Sequence, residues 1–133
     1  MQPDGLVTIA SSHTPAETVD RLIAALDARG ITVFARIDHA AGAASVGMAL
    51  RPTTVVIFGN PAAGTPLMQS DQRVGLDLPL KALVWEDAGS QTWLTYSDPG
   101  WLAERYHLGD ESKPVAEKLA AALAGIAAAA TSP

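Results

Sequence analysis

Asp38-His39 is the first place in this 133-residue chain where neighbouring side chains could move a proton. A carboxylate beside an imidazole can orient it for general acid–base work near neutral pH. Consecutive residues of a strand point to opposite faces, so Asp38 orients His39 directly only if the strand bends there. In the plainer reading Asp38 caps the following turn and His39 bonds to backbone.

Gly59-Asn60-Pro61-Ala62-Ala63-Gly64-Thr65 is the second candidate, because loop-to-helix junctions can offer backbone N–H groups to an anion. It lacks the Gly-Lys-Ser/Thr ending of a P-loop and is no dinucleotide fingerprint. Pro61 and Pro66 remove two of the donors such a nest would use, which favours a structural turn. Lys81 is the third candidate, as an anchor for a carboxylate or a base of lowered pKa. By parity Lys81 shares a strand face with Asp87, whereas Glu86 points the other way. A surface ion pair is the commoner use of such charges.

Metal binding would require His13, His39 and His107 to converge, with Asp38 or Asp98 in support. The sequence has no HxH, HxxxH or HExxH spacing, so no metal site and no cofactor are expected. Met48 and Met68 read as core filler. No Gly-x-Ser-x-Gly elbow is present, and Ser45, Ser70 and Ser97 have no evident partner base.

The elements that would position these groups follow from periodicity and turn chemistry. Leu6–Ser11 reads as a strand, and Thr14-Pro15-Ala16-Glu17 as a capped helix start. Val19, Leu22, Ile23 and Leu26 follow at helical spacing, with Gly30 as the stop. Ile31–Asp38 is a strand with Ile31, Val33, Ala35 and Ile37 on one face and Thr32, Phe34, Arg36 and Asp38 on the other. His39–Arg51 holds a short Ala-rich segment weakened by Gly42 and Gly47.

Thr53–Gly59 alternates little, so a central strand covered on both faces is expected. A turn at Asn60-Pro61, a short helix from Pro66 and a polar loop over Ser70–Leu78 come next. Leu80–Asp87 and Gln91–Ser97 form a hairpin through Ala88-Gly89-Ser90, which allows a cross-strand contact of Trp85 with Trp93. Asp98-Pro99 caps a short helix ended by Gly109. The last helix covers about Lys113–Ala127 and frays over its Ala-rich end.

The pattern is one domain of α+β class: a two-layer sandwich, mostly antiparallel sheet with helices packed on one face. Its uncovered face would carry Phe34, Leu83 and at least one Trp, a patch apolar enough to favour a homodimer. Apolar residues make up 48% and charged residues 17% of the chain, a globular balance. No run approaches the ~18–20 apolar residues of a membrane span, and MQPDGLVTIASSH lacks the basic and apolar parts of a secretion signal. The absence of cysteine removes thiolate chemistry and fits a cytoplasmic setting. A net charge of −5 without a Lys/Arg cluster argues against nucleic acid.

Four stretches carry a resemblance: IDHAAGA at Ile37–Ala43, FGNPAAGTPLM at Phe58–Met68, LDLPLKALVWED at Leu76–Asp87 and WLTYSDPGWLA at Trp93–Ala103. Together they resemble the bacterial family called domain of unknown function 302, over nearly the whole chain. The resemblance implies a compact α/β domain, often dimeric, with no agreed activity and so no catalytic residue to carry over.

These observations lead to a small cytoplasmic, homodimeric module that binds a small polar or anionic ligand. The expected pocket joins His39 to the Asn60–Thr65 loop and the start of the hairpin strand, with Asn60, Thr65 and Lys81 as ligand contacts. The alternative is a cofactor-independent enzyme using His39 as general acid/base with Asp38 or Lys81 assisting. A third reading is a protein–protein interaction domain without a small-molecule ligand.

Overall fold

Five antiparallel strands in the order β1-β5-β4-β3-β2 form a single sheet in the computed structural model, which describes residues 4–133. The strands are β1 (Leu6–Ser11), β2 (Thr32–Asp38), β3 (Thr53–Gly59), β4 (Leu80–Glu86) and β5 (Thr92–Ser97). The helices are α1 (Pro15–Ala28), α2 (His39–Ser45), α3 (Pro61–Ser70), α4 (Pro99–Arg105) and α5 (Lys113–Thr131). Residues 1–3 lie outside the described residues, and the reading of the N-terminus as free of a secretion signal extends into them.

α1 and α5 cover one face of the sheet. Val19, Leu22 and Leu26 of α1 and Leu123, Ile126, Ala127 and Ala130 of α5 pack on Val56, Phe58, Ala82, Val84, Leu94 and Tyr96 of the strands. Thr14 caps α1 by accepting from the Glu17 amide at 3.2 Å, and Gly30 takes the left-handed conformation (φ 68°) beyond its end. The opposite face has no helix over it. There Trp85 stands directly across from Trp93, ring centroids 6.2 Å apart, while Leu83, Val55 and Ile37 continue an apolar row.

The two-layer α+β architecture is as the periodicity predicts, with four local differences. β3 is not covered on both faces: Val56 and Phe58 are buried under the helices, whereas Val55 and Ile57 lie half-exposed on the open face. β-branched residues suit such a half-buried pleated surface, so continuous apolarity does not require a second covering layer. In β2, Val33 pairs with Phe58 and Ala35 with Ile57, leaving Phe34 as an extra, bulged residue. The bulge breaks the alternation. Arg36 and Asp38 lie on the helix side, opposite Val56 and Thr54, and Ile37 turns to the open face.

The third difference is α3, which begins at Pro61 rather than Pro66. Asn60 caps it, its Oδ1 accepting from the Ala62 amide at 2.9 Å. Pro66 deprives the Ala62 carbonyl of its partner, but Ala62 is exposed, so water can replace it. After α3, Ser70–Leu78 is no purely polar loop: it contains a 3-10 turn over Gln72–Leu76 with Val74 fully buried.

The fourth is the C-terminal helix. α5 runs to Thr131 without fraying because Ala127, Ala130 and Thr131 are buried and the Thr131 carbonyl accepts from the Ser12 amide at 2.9 Å. Asp110–Thr131 is also the one helical run among the described residues with the length and mean hydropathy (22 residues, 1.2) to cross a membrane. In this fold its Leu123 and Ile126 belong to the domain core. α4 ends at Arg105, ahead of Gly109, because His107 adopts the left-handed conformation (φ 51°).

Candidate functional site

The β2–β3 connection is a hairpin around α2, and this fixes where the polar candidates lie. Asp38 pairs with Thr54 at one end of the sheet, whereas Thr32 pairs with Gly59, beside Asn60, at the other. Six residue steps of strand lead from Thr53 to Gly59, about 20 Å. His39 and Asn60 therefore do not share a pocket.

At the α2 end, the Asp38 carboxylate accepts from the Ala41 amide at 2.9 Å and caps α2. No hydrogen bond joins it to His39, which stands exposed as the first residue of α2. Lys81 lies on the open face opposite Ile57, its ammonium donating to the Pro79 carbonyl at 3.1 Å. His13 accompanies the C-terminus, with Nε2 2.6 Å from the Ser132 carbonyl, and His107 follows α4. Among the described residues no three His, Asp or Glu side chains gather as a metal would require.

The opposite end of the sheet holds a half-open cavity, about 680 Å³ in volume, between the strand ends, α3 and α5. Phe58 and Leu80 reach it from the sheet, and Phe34 from the bulge in β2. Pro61, Gly64 and Met68 contribute from α3, and Leu119, Ala122, Leu123 and Ile126 from α5. Asn60 and Thr65 belong to its wall, while Lys81 and His39 do not. The lining is overwhelmingly aliphatic, with Arg29 and Lys118 its two cations.

The anion nest foreseen at Asn60–Thr65 has its donors engaged. The Ala62 amide bonds to Asn60 Oδ1, and the Ala63 and Gly64 amides bond to the Asn60 carbonyl at 2.9 and 3.1 Å. Gly64 contributes space instead: a Cβ there would meet only Leu78 and Met68, at 3.7 and 3.9 Å.

Behind α3 a second small core (Leu67, Val74, Tyr106) supports the cavity wall. Tyr106 donates its hydroxyl proton to Asp77, and Arg105 Nε stands 3.8 Å from the same carboxylate oxygen. That hydrogen bond, reinforced by burial, holds the Tyr106 phenol above its ordinary value. The pair ties Ser70–Leu78, which supplies Gly75 and Leu78 to the cavity, to the end of α4.

At the hairpin turn, Asp87 accepts from the Trp93 indole at 2.9 Å and from the Gly89 and Gln91 amides at 2.9 and 3.0 Å. The indole bond leads the causes that hold its carboxyl below the usual carboxylate range. Trp85 donates to Thr95 at 2.9 Å. Both indole N–H groups are thus satisfied within the sheet, as partly buried Trp requires.

Arg29, Phe34, Lys118 and Ala122 line the cavity and Gly125 makes room for Arg29, although none of them stands in a reactive pattern in the sequence. A usable signal existed on α5. Lys118, Ala122 and Gly125 recur at helical spacing as a second stripe beside the core stripe of Leu119, Leu123 and Ile126. A stripe of small residues next to large ones leaves room against whatever packs there.

A family model described as "Domain of unknown function DUF302" matches residues 7–126. The crystal structure of an uncharacterised conserved DUF302 protein from Bacillus stearothermophilus superposes with a TM-score of 0.84. At 21% sequence identity, it covers 95% of this chain and 98% of its own. Two curated relatives are longer. "Fluoride-specific ion channel FluC 1" of Brucella suis biovar 1 (strain 1330) is 52% identical over 105 residues, 79% of this chain and 41% of that protein. "Fluoride-specific ion channel FluC 2" of Brucella melitensis biotype 1 is 52% identical over the same length, 39% of that protein. The chain thus spans about two fifths of the curated relatives it matches.

Proposed function

This chain belongs to the DUF302 family, and from that premise we propose that it is a small-molecule-binding module whose ligand occupies the cavity between α3 and α5. The observation that carries this reading is the cavity itself. Its volume falls within the ~300–1,000 Å³ range of small-molecule sites, and its walls are apolar with few polar groups. The ligand is accordingly more apolar than the small polar molecule expected from Asn60, Thr65 and Lys81. Thermal-shift measurements with Ala122→Phe test it. The wild-type protein should gain stability from apolar probes, and the substituted protein, folded by circular dichroism, should gain none. Stabilisation that survives the plug counts against the cavity.

The same reading takes the module to be a homodimer through the open sheet face. Leu83, Val55, Ile37, Trp85 and Trp93 make that face apolar, with Lys81 towards one end of it and Asp87, bonded to the Trp93 indole, at the other. Two copies of the chain can bury that apolar row against each other. A cytoplasmic setting is supported by the absence of cysteine.

General acid/base catalysis by His39 draws less support, because Asp38 is engaged as a cap and the cavity lies at the other end of the sheet. The Brucella relatives favour a second reading about partners, since more than half of each lies outside the matched stretch and both are named as fluoride channels. In that reading the module works beside such a channel. Deleting this chain from its host should then change fluoride resistance, and unchanged resistance counts against it.

A further inference from the structure

We propose that the cavity takes an aliphatic monocarboxylate, with its hydrocarbon chain among the apolar walls and its carboxylate between Arg29 and Lys118. This rests on the binding-module reading and names the ligand's chemical class.

Arg29 lies just past the end of α1 and reaches across to α5 at Gly125. A Cβ at Gly125 would sit 2.5 Å from Arg29 Nη2, so the missing side chain provides the space this guanidinium fills. Lys118 is seven residues earlier on α5, about 10 Å along the axis, with Ala122 between them. Both cations line the same cavity.

Among the described residues neither cation has a carboxylate within 4.0 Å. Most Lys and Arg among the described residues are likewise unpaired, and what distinguishes these two is their place at the exposed rim of the same cavity. The two cations therefore offer charge and hydrogen-bond donors to an anion from outside, and Arg supplies the planar fork that matches a carboxylate.

The remaining chemistry narrows the class. Polar ligands such as sugars would leave many groups unpaired against Ile31, Phe34, Leu80 and Leu123. A nucleotide would need backbone donors at the start of α3, and those are already bonded to Asn60. The net charge of −5 favours a monoanion over a dianionic phosphate. What fits is one carboxylate on a hydrocarbon chain.

Isothermal titration with decanoate and decan-1-ol, both below their aggregation limits, tests the proposal. Decanoate should bind the wild-type protein at least ~10-fold more tightly, as expected for hydrogen bonds to a charged group. Each methylene from hexanoate to decanoate should add up to about fourfold. In the Arg29→Ala, Lys118→Ala double variant the preference for decanoate should vanish while decanol affinity stays, and Lys118→Arg should retain the preference. Equal binding of the two probes, or a preference unmoved by the double variant, overturns the carboxylate assignment and leaves the cavity reading standing. If neither probe binds the wild-type protein, or both bind Ala122→Phe undiminished, the cavity reading falls and takes this inference with it.

Discussion

At one end of the sheet Asp38 and His39 set a carboxylate next to an imidazole, yet the first caps α2 and the second stands exposed. At the other end the residues are mostly Pro, Ala, Gly, Leu and Phe, and they line a half-open cavity of about 680 Å³ with two cations in its wall. The end richer in reactive groups contributes nothing to this cavity, and the end that holds the cavity has hardly any reactive group. A search by residue type alone favours the first end. Binding, however, is driven by surface removed from water, and this favours the second.

The sharpest way to test this contrast is to damage each end in turn. Phe58 is 1% exposed and serves both core and cavity. Phe58→Ala should cost about 3–5 kcal/mol in urea unfolding, whereas His39→Ala should stay within about 0.5 kcal/mol, as exposed positions do. Ala122→Phe should weaken decanoate binding by about 100-fold or more, the consequence of filling the space the chain would occupy. His39→Ala should leave that affinity unchanged, and if it does not, the comparison fails.

Leu83→Glu separates the cavity from the open face. If the proposed dimer forms through this face, sedimentation should show it weakened by at least ~10-fold, since a carboxylate would enter an apolar contact, while decanoate affinity is retained. Gly64→Ala is smaller and opposite in sign. Gly64 lies inside α3 with room for a methyl group, so the protein should gain up to about 1 kcal/mol.

The smallest effect belongs to the hairpin turn. Trp93, first among the groups bonded to Asp87, depresses its carboxyl, so the folded state holds this group ionised more readily than the unfolded chain does. Its contribution to stability is present above the ordinary value of 3.8 and is lost as pH falls through the lower folded value. Asp87→Asn should flatten that part of the acid limb of a stability–pH curve, and an unaltered limb would remove Asp87 from the account.

Much of the fold was legible because local chemistry and burial agreed. Thr14 and Gly30 bracket α1, Asp98 starts α4, and alternation in Leu80–Glu86 places Ala82 and Val84 inward. The sequence reading failed where long-range packing overrode local cues. Pro66 looked like a breaker, but its orphaned carbonyl belongs to exposed Ala62. Ala128–Thr131 looked frayed until Ser12 was brought against it. Asn60 and Thr65 line the cavity, but the sequence reading joins them to His39 and Lys81, which do not. Arg29 and Lys118 carry no such local signal, because residues 89 positions apart come to line one cavity only through the packing of α1 on α5.

The bulge in β2 bears on how this domain can change length. Deleting one residue from the middle of a paired strand ordinarily slips everything beyond it and turns buried side chains outward. Phe34 has no partner on β3, and Val33 and Ala35 already face consecutive residues, Phe58 and Ile57. A deletion confined to codon 34 would leave every other pairing in the ladder where it is while removing an aromatic group from the cavity wall. Within β2 this is the site at which a shortened gene could still encode the same sheet, with a wider mouth and a different choice of ligand.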